Sequence, residues 1–171
     1  TQSVDEGDRL RLLNRYLIKC VNDTPWRELL VQQLVKYIYY LILLGIPDKS
    51  VFIDEEGYVI PYGNLKKSDR IILYGAGKMG KAVFPLMKDE FAMRIVVWMD
   101  AFPGDGIECI NKLDKIAPDE YDKIVIAAAN YRIVKDMEKK VLEFDVPGEK
   151  ICTLKCGDLT IEDVDKMLRL G

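Results

Sequence analysis

Arg70-Ile71-Ile72-Leu73-Tyr74-Gly75-Ala76-Gly77-Lys78-Met79-Gly80 is an apolar run of strand length that breaks into three closely spaced glycines. The run Ile71–Tyr74 suits a strand covered on both faces, and the periodicity from Lys78 to about Glu90 predicts a helix. The pattern G-x-G-x-x-G therefore follows a strand directly and opens a helix. In that context each glycine has a reason: Gly75 permits a tight turn, Gly77 lets backbone approach a diphosphate, and Gly80 lets helix and strand pack closely. Backbone amides at the helix start would face the phosphates, with the helix dipole favouring their negative charge.

Toward the C-terminus the same alternation continues. Strands are predicted at Arg94–Met99, at a short edge piece in Gly106–Ile110, at Lys123–Ala128 and at Lys150–Leu154. A short helix to about Ile116 and a longer one over Tyr131–Phe144, capped by Asn130, lie between them. This βαβ order predicts an α/β fold with a parallel, Rossmann-like sheet of four or five strands over 69–155. Asp100 ends the second strand, 25 residues after Gly75, where a carboxylate could accept hydrogen bonds from ribose hydroxyls and would disfavour a 2′-phosphate. The candidate cofactor-binding set is Gly75, Ala76, Gly77, Lys78, Met79, Gly80, Asp100 and Asn130, for NAD or a nucleotide-sugar. The competing reading is a vestigial turn in which the glycines only shape the backbone and the domain serves structure or dimerisation.

Two further motifs overlap this region. Gly75-x-x-x-x-Gly80-Lys81-Ala82 approaches a phosphate-binding P-loop, but Ala82 lacks the hydroxyl that would hold Mg²⁺, and the strand through Ile124–Ala129 ends without an acid. An NTPase is not expected. Tyr131 and Lys135 form a Y-x-x-x-K, the proton donor and ribose-binding lysine of short-chain dehydrogenases, and would share one helix face. They are the candidate catalytic pair of an alternative reading, an NAD-dependent oxidoreductase or epimerase acting on a nucleotide sugar. They start directly after the Lys123–Ala128 strand, earlier than that chemistry places them. Trp26 and Trp98 read as core anchors rather than ligand platforms.

Toward the N-terminus the pattern differs. Residues 49–68 read as a connector with a short hairpin, Val51–Ile53 and Tyr58–Ile60, around a turn at Gly57. Residues 1–48 read as a helical hairpin, with Asn22-Asp23-Thr24-Pro25 between its helices and Gly45 and Pro47 stopping the second. Its end, Tyr37–Ile46, is apolar on every face and needs cover, from the main domain or from a homodimer or missing-domain contact. Its ten residues fall short of the roughly 20 that span a bilayer, so no membrane span is expected. Thr160-Ile161-Glu162-Asp163 opens a C-terminal helix within 156–171.

Composition narrows the chemistry. The 171 residues carry 25 Lys and Arg against 28 Asp and Glu, and residues 1–48 hold six of each sign, so the net −3 sits in 49–171. No basic excess points to nucleic acid. With no His, imidazole general bases, His-containing nucleophile systems and His-ligated zinc are excluded. Cys20, Cys109, Cys152 and Cys156 form no C-x-x-C, which predicts unpaired thiols and no metal. With no secretory pattern at the start, a reducing, cytoplasmic compartment is the expectation. Thr1 in place of an initiator Met is what an excised piece of a longer polypeptide would show.

The runs Ile71–Met87, Ile95–Asp100 and Tyr121–Tyr131, with Val59–Leu65 as lead-in, resemble the small Rossmann domains described as nucleoside-diphosphate-sugar epimerase-like. Such domains accompany glycosyltransferases and methyltransferases in bacterial surface-polysaccharide proteins. The resemblance spans about residues 58–155. It implies a nucleotide or nucleotide-sugar bound at Gly75, Gly77, Met79 and Asp100, no catalytic set, and a non-catalytic module of a larger carbohydrate-modifying protein.

Overall fold

The computed structural model of the chain describes residues 53–59, 62, 64–128 and 130–153. The predicted N-terminal helical hairpin with its Tyr37–Ile46 contact, and the predicted C-terminal helix, lie outside the described residues.

The described residues form an α/β unit around one five-stranded parallel sheet. The order of elements is β1 (Arg70–Tyr74), α1 (Lys78–Pro85), β2 (Arg94–Asp100), β3 (Glu108–Cys109), β4 (Lys123–Ile126), α2 (Tyr131–Leu142) and β5 (Ile151–Cys152). The spatial order is β3-β2-β1-β4-β5, and all four pairings are parallel. The chain therefore leaves β1 to one side through β2 and β3, then returns to the other side at β4. That reversal is a topological switch point, and in such sheets ligands sit outside the carboxyl ends of the strands that flank it. The carboxyl end of β1 is where the glycine turn begins.

Why β1 is apolar at consecutive positions is visible in its two faces. Ile72 and Tyr74 join Met99, Ile124 and Ile126 in one core with Ile110, Leu113 and Val141, against which Val134 and Met137 of α2 pack. Ile71 and Leu73 point the other way and are equally buried, on the side that α1 covers with Met79 and Val83. A strand buried on both faces has no polar alternation to show.

One irregularity matters for the site. Ile71 pairs with Ile95 but Ile72 pairs with Val97, so Val96 has no partner across the ladder. Both Val96 and Val97 then lean on the same core, and the extra residue sets Trp98 opposite Leu73 and Met99 opposite Tyr74. Bulges re-aim side chains in this way. Without it Trp98 would stand opposite Tyr74, on the face covered by α2.

The first helix is shorter than predicted. Pro85 ends the regular turns, and Leu86–Glu90 continue as a π-helical turn that closes with Phe91 N–H donating to the Leu86 carbonyl at 3.0 Å. Proline brings no amide to the helix ladder, so the wider turn takes over there. The piece predicted near Ile116 is a 3₁₀ turn over Ile110–Lys115. In the connector, Ile53 and Val59 form an antiparallel bridge around Gly57, and Tyr58 pairs with Lys66. Val59, Tyr62 and Leu65 are buried, which ties the lead-in to the domain.

At the amino end of the sheet, Asp122 accepts from the Arg70 backbone N–H at 2.7 Å, from Nε at 3.1 Å and from Nη2 at 3.0 Å. These bonds from Arg70, its side chain first and its backbone amide next, hold the Asp122 carboxyl at about 2, below its ordinary 3.8. A carboxyl depressed by folding stabilises the native state above its unfolded value, and that contribution is lost as pH falls through the folded value. The window here runs from about 3.8 down to about 2. With the side chain 38% exposed, solvent screening limits the contribution to about 1 kcal/mol. Asp122→Asn should lower the thermal midpoint by about 2–4 °C at pH 7, a gap that closes as pH is taken through this window. An equal gap at both ends would show that the carboxylate charge contributes nothing.

Candidate functional site

The ladder runs one step past β1 on both sides. Gly75 N–H donates to the Met99 carbonyl and Ala127 N–H donates to the Tyr74 carbonyl, each at 2.8 Å. Gly75 is thus clamped between β2 and β4, and it turns the chain at φ +123°. A Cβ there would stand 2.7 Å from the Ala127 carbonyl oxygen and 3.3 Å from Met137 Cε. Gly80, inside α1, has a different constraint, since a Cβ on it would run into the Gly75 carbonyl. The first turn of α1 lies directly on the glycine turn for this reason.

Gly77 has neither constraint. It caps α1 at φ −73° and ψ −163° with no side-chain bond, and a Cβ on it would meet nothing within 4 Å. The first helical bond runs from Lys81 N–H to the Gly77 carbonyl at 3.0 Å. The amides of residues 76–80 therefore fall between the sheet ladder and the helix's own bonds, the orphan donors of a helix start. Lys78 and Lys81 are exposed beside them, and α1 carries no acid in its first turn. The electrostatics of this corner favour an anion.

Asp100 is the last residue of β2, where the fingerprint needs its acid. It is half-buried, and its Oδ1 accepts from Ala101 N–H at 2.8 Å. Tyr74, at the end of the neighbouring strand, is buried, and its phenol is pushed above its ordinary value by burial first and then by Asp100 and Cys109. The glycine turn and Asp100 thus occupy the carboxyl ends of adjacent strands, as the spacing predicted. Asn130 stands beyond β4 at the same edge and caps α2, its Oδ1 accepting from Arg132 N–H at 3.0 Å.

Tyr131 opens α2, one turn ahead of Lys135. The Lys135 ammonium is 3.7 Å from Glu138 Oε2 on the exposed side of that helix. Among the described residues no group of three or more His, Cys, Asp or Glu is placed to hold a metal ion. None of the described helices is long and apolar enough to cross a membrane.

Two aromatic residues at this corner lie outside the candidate set read from the sequence. Trp98 is only half-buried, not a core anchor, because its indole N–H reaches the edge and donates to the Gly75 carbonyl at 2.7 Å. Its ring stacks on Phe84 of α1 with centroids 4.4 Å apart and planes 15° from parallel. An indole that loses water must find an acceptor, and a Trp two residues before the strand-end acid was the available signal. Phe102, two residues past Asp100, is 84% exposed, an aromatic face offered to solvent beside the strand end. No protein-family model, no curated protein and no solved structure matches this chain.

Proposed function

We propose that the chain is a nucleotide-binding module, for NAD or a nucleotide-sugar, whose diphosphate lies on the Gly75–Gly80 turn and whose ribose is read by Asp100. The observation that carries this reading is the contrast among the three glycines. Gly75 and Gly80 are explained by backbone geometry alone, so they would be needed in a vestigial turn too. Gly77 is not: Ser, Asp or Asn caps a helix better, and a Cβ at this position would meet nothing within 4 Å. A bare backbone at the mouth of the switch point has a use when a diphosphate must approach it closely. The resemblance over about residues 58–155 supports placing the module in a larger glycosyltransferase-type protein of carbohydrate biosynthesis, as a non-catalytic part.

Thermal unfolding of the 171-residue chain against NAD, NADP and UDP-, CDP- and GDP-sugars tests the reading. A ligand specific to the folded state adds about 2.7 kcal/mol at 100 times its dissociation constant, a shift of several degrees in the midpoint. NAD is expected to outdo NADP, because the Asp100 carboxylate would repel a 2′-phosphate. No shift with any compound would overturn the assignment in favour of a vestigial turn.

A further inference from the structure

The hydrogen bond between the Trp98 indole and the Gly75 carbonyl has no counterpart in what a glycine turn requires. Gly75 is already held by its own N–H on Met99, and its φ of +123° is set by the absence of a side chain. What the ladder leaves undetermined is the peptide plane that follows. A trans peptide points its C=O and its N–H in opposite directions. With the Gly75 oxygen drawn to Trp98 Nε1 at 2.7 Å and lying against Gly80, the Ala76 N–H points the opposite way, away from the indole nitrogen and from Gly80. At this turn Ala76 is half-buried and Gly77 exposed.

The indole is itself held from two directions. Phe84 stacks on it from α1, and the unpaired Val96 brings Trp98 to the α1 face rather than the opposite one. A donor fixed in this way costs no reorganisation when an anion arrives, which is how preorganised dipoles gain over mobile ones.

We infer that Trp98 is a positioning residue for the diphosphate. It touches no ligand and acts through the Gly75–Ala76 peptide, which it holds with the Ala76 amide aimed at the bound anion. The inference rests on the nucleotide reading above and adds to it a residue outside the glycine motif.

The test uses the whole chain and whichever of NAD or UDP-glucose the wild type binds. Trp98→Phe keeps an aromatic ring on Phe84 and removes the N–H. A second variant carries 3-benzothienylalanine at position 98, which has the shape of Trp with sulfur in place of the N–H group. Both are expected to weaken binding about tenfold, the size expected for one misdirected hydrogen bond to a charged group. In the ligand-free protein the Gly75 carbonyl ¹³C and Ala76 amide resonances should move in both variants, while the midpoint of the isosteric variant stays within a few degrees of wild type. Wild-type affinity in the isosteric variant would overturn the inference and leave the nucleotide reading standing. A lowered midpoint with unchanged affinity would assign Trp98 a structural role alone. If wild type binds neither probe, nor any other nucleotide diphosphate, both the nucleotide reading and this inference fall.

Discussion

Gly80→Ala should destabilise the fold by about 3 kcal/mol or more, the upper range for overpacking a site that cannot relax. Elsewhere in a helix the change from Gly to Ala is favourable by about 1 kcal/mol, so the sign depends on what the new methyl meets. Here it meets the Gly75 carbonyl oxygen, a backbone atom already held by Trp98 and unable to swing aside like a side-chain end. Relief would require α1 to lift off the turn, exposing Met79 and Val83, which are buried beneath it. Urea denaturation of the variant against wild type measures the effect. A difference under about 0.5 kcal/mol, the range of ordinary surface changes, would mean that α1 and the turn are not in the contact described.

Gly77→Val is expected to do the opposite. With φ at −73° and nothing within 4 Å of its Cβ position, the backbone and the space at Cβ admit a side chain, and the expected cost is the loss of a tolerated cap, about 1 kcal/mol. The nucleotide, however, meets a branched side chain where the diphosphate should touch backbone. Affinity should fall at least about 100-fold, since losing close approach forfeits several charge-assisted hydrogen bonds together. Titration calorimetry beside a melting curve separates the two effects. Full affinity in a folded Gly77→Val chain would remove the turn from the binding site.

The pair of variants shows what could be read from residues alone. The strand–glycine–helix order, the boundaries of β1, the Asn130 cap and the acid at the end of β2 were all legible, because each depends on local spacing and on residue types with one strong preference. The roles of Gly75 and Gly80 were legible from their places in the pattern, and what a Cβ would meet at each agrees with them; the open space around Gly77 was not legible, because residue type carries no mark of what surrounds it. The bulge at Val96 was hidden for a similar reason. Ile95-Val96-Val97 is uniformly apolar, and a one-residue shift in register leaves no mark on such a run.

Trp98 illustrates the same limit. Its size favours burial, and nothing in the chain before or after it announces that Gly75, 23 residues earlier, would supply an acceptor. The periodicity carried the predicted helix through Pro85 to about Glu90, and the early end of α1 is gradual rather than a break, since the π turn carries Leu86 and Met87 into the core before the chain reverses. The reversal itself uses Ala92 at φ +49°, a conformation that favours glycine and that the sequence did not mark.

The most direct measurement is a map of backbone amide shifts in the ¹⁵N-labelled chain, as NAD or a UDP-sugar is titrated to saturation. The largest changes should fall on Ala76, Gly77 and Lys78, the orphan donors after β1, with a second group at Asp100 and Ala101 at the end of β2. Changes centred elsewhere, or none with either ligand at millimolar concentration, would contradict a diphosphate site on the glycine turn.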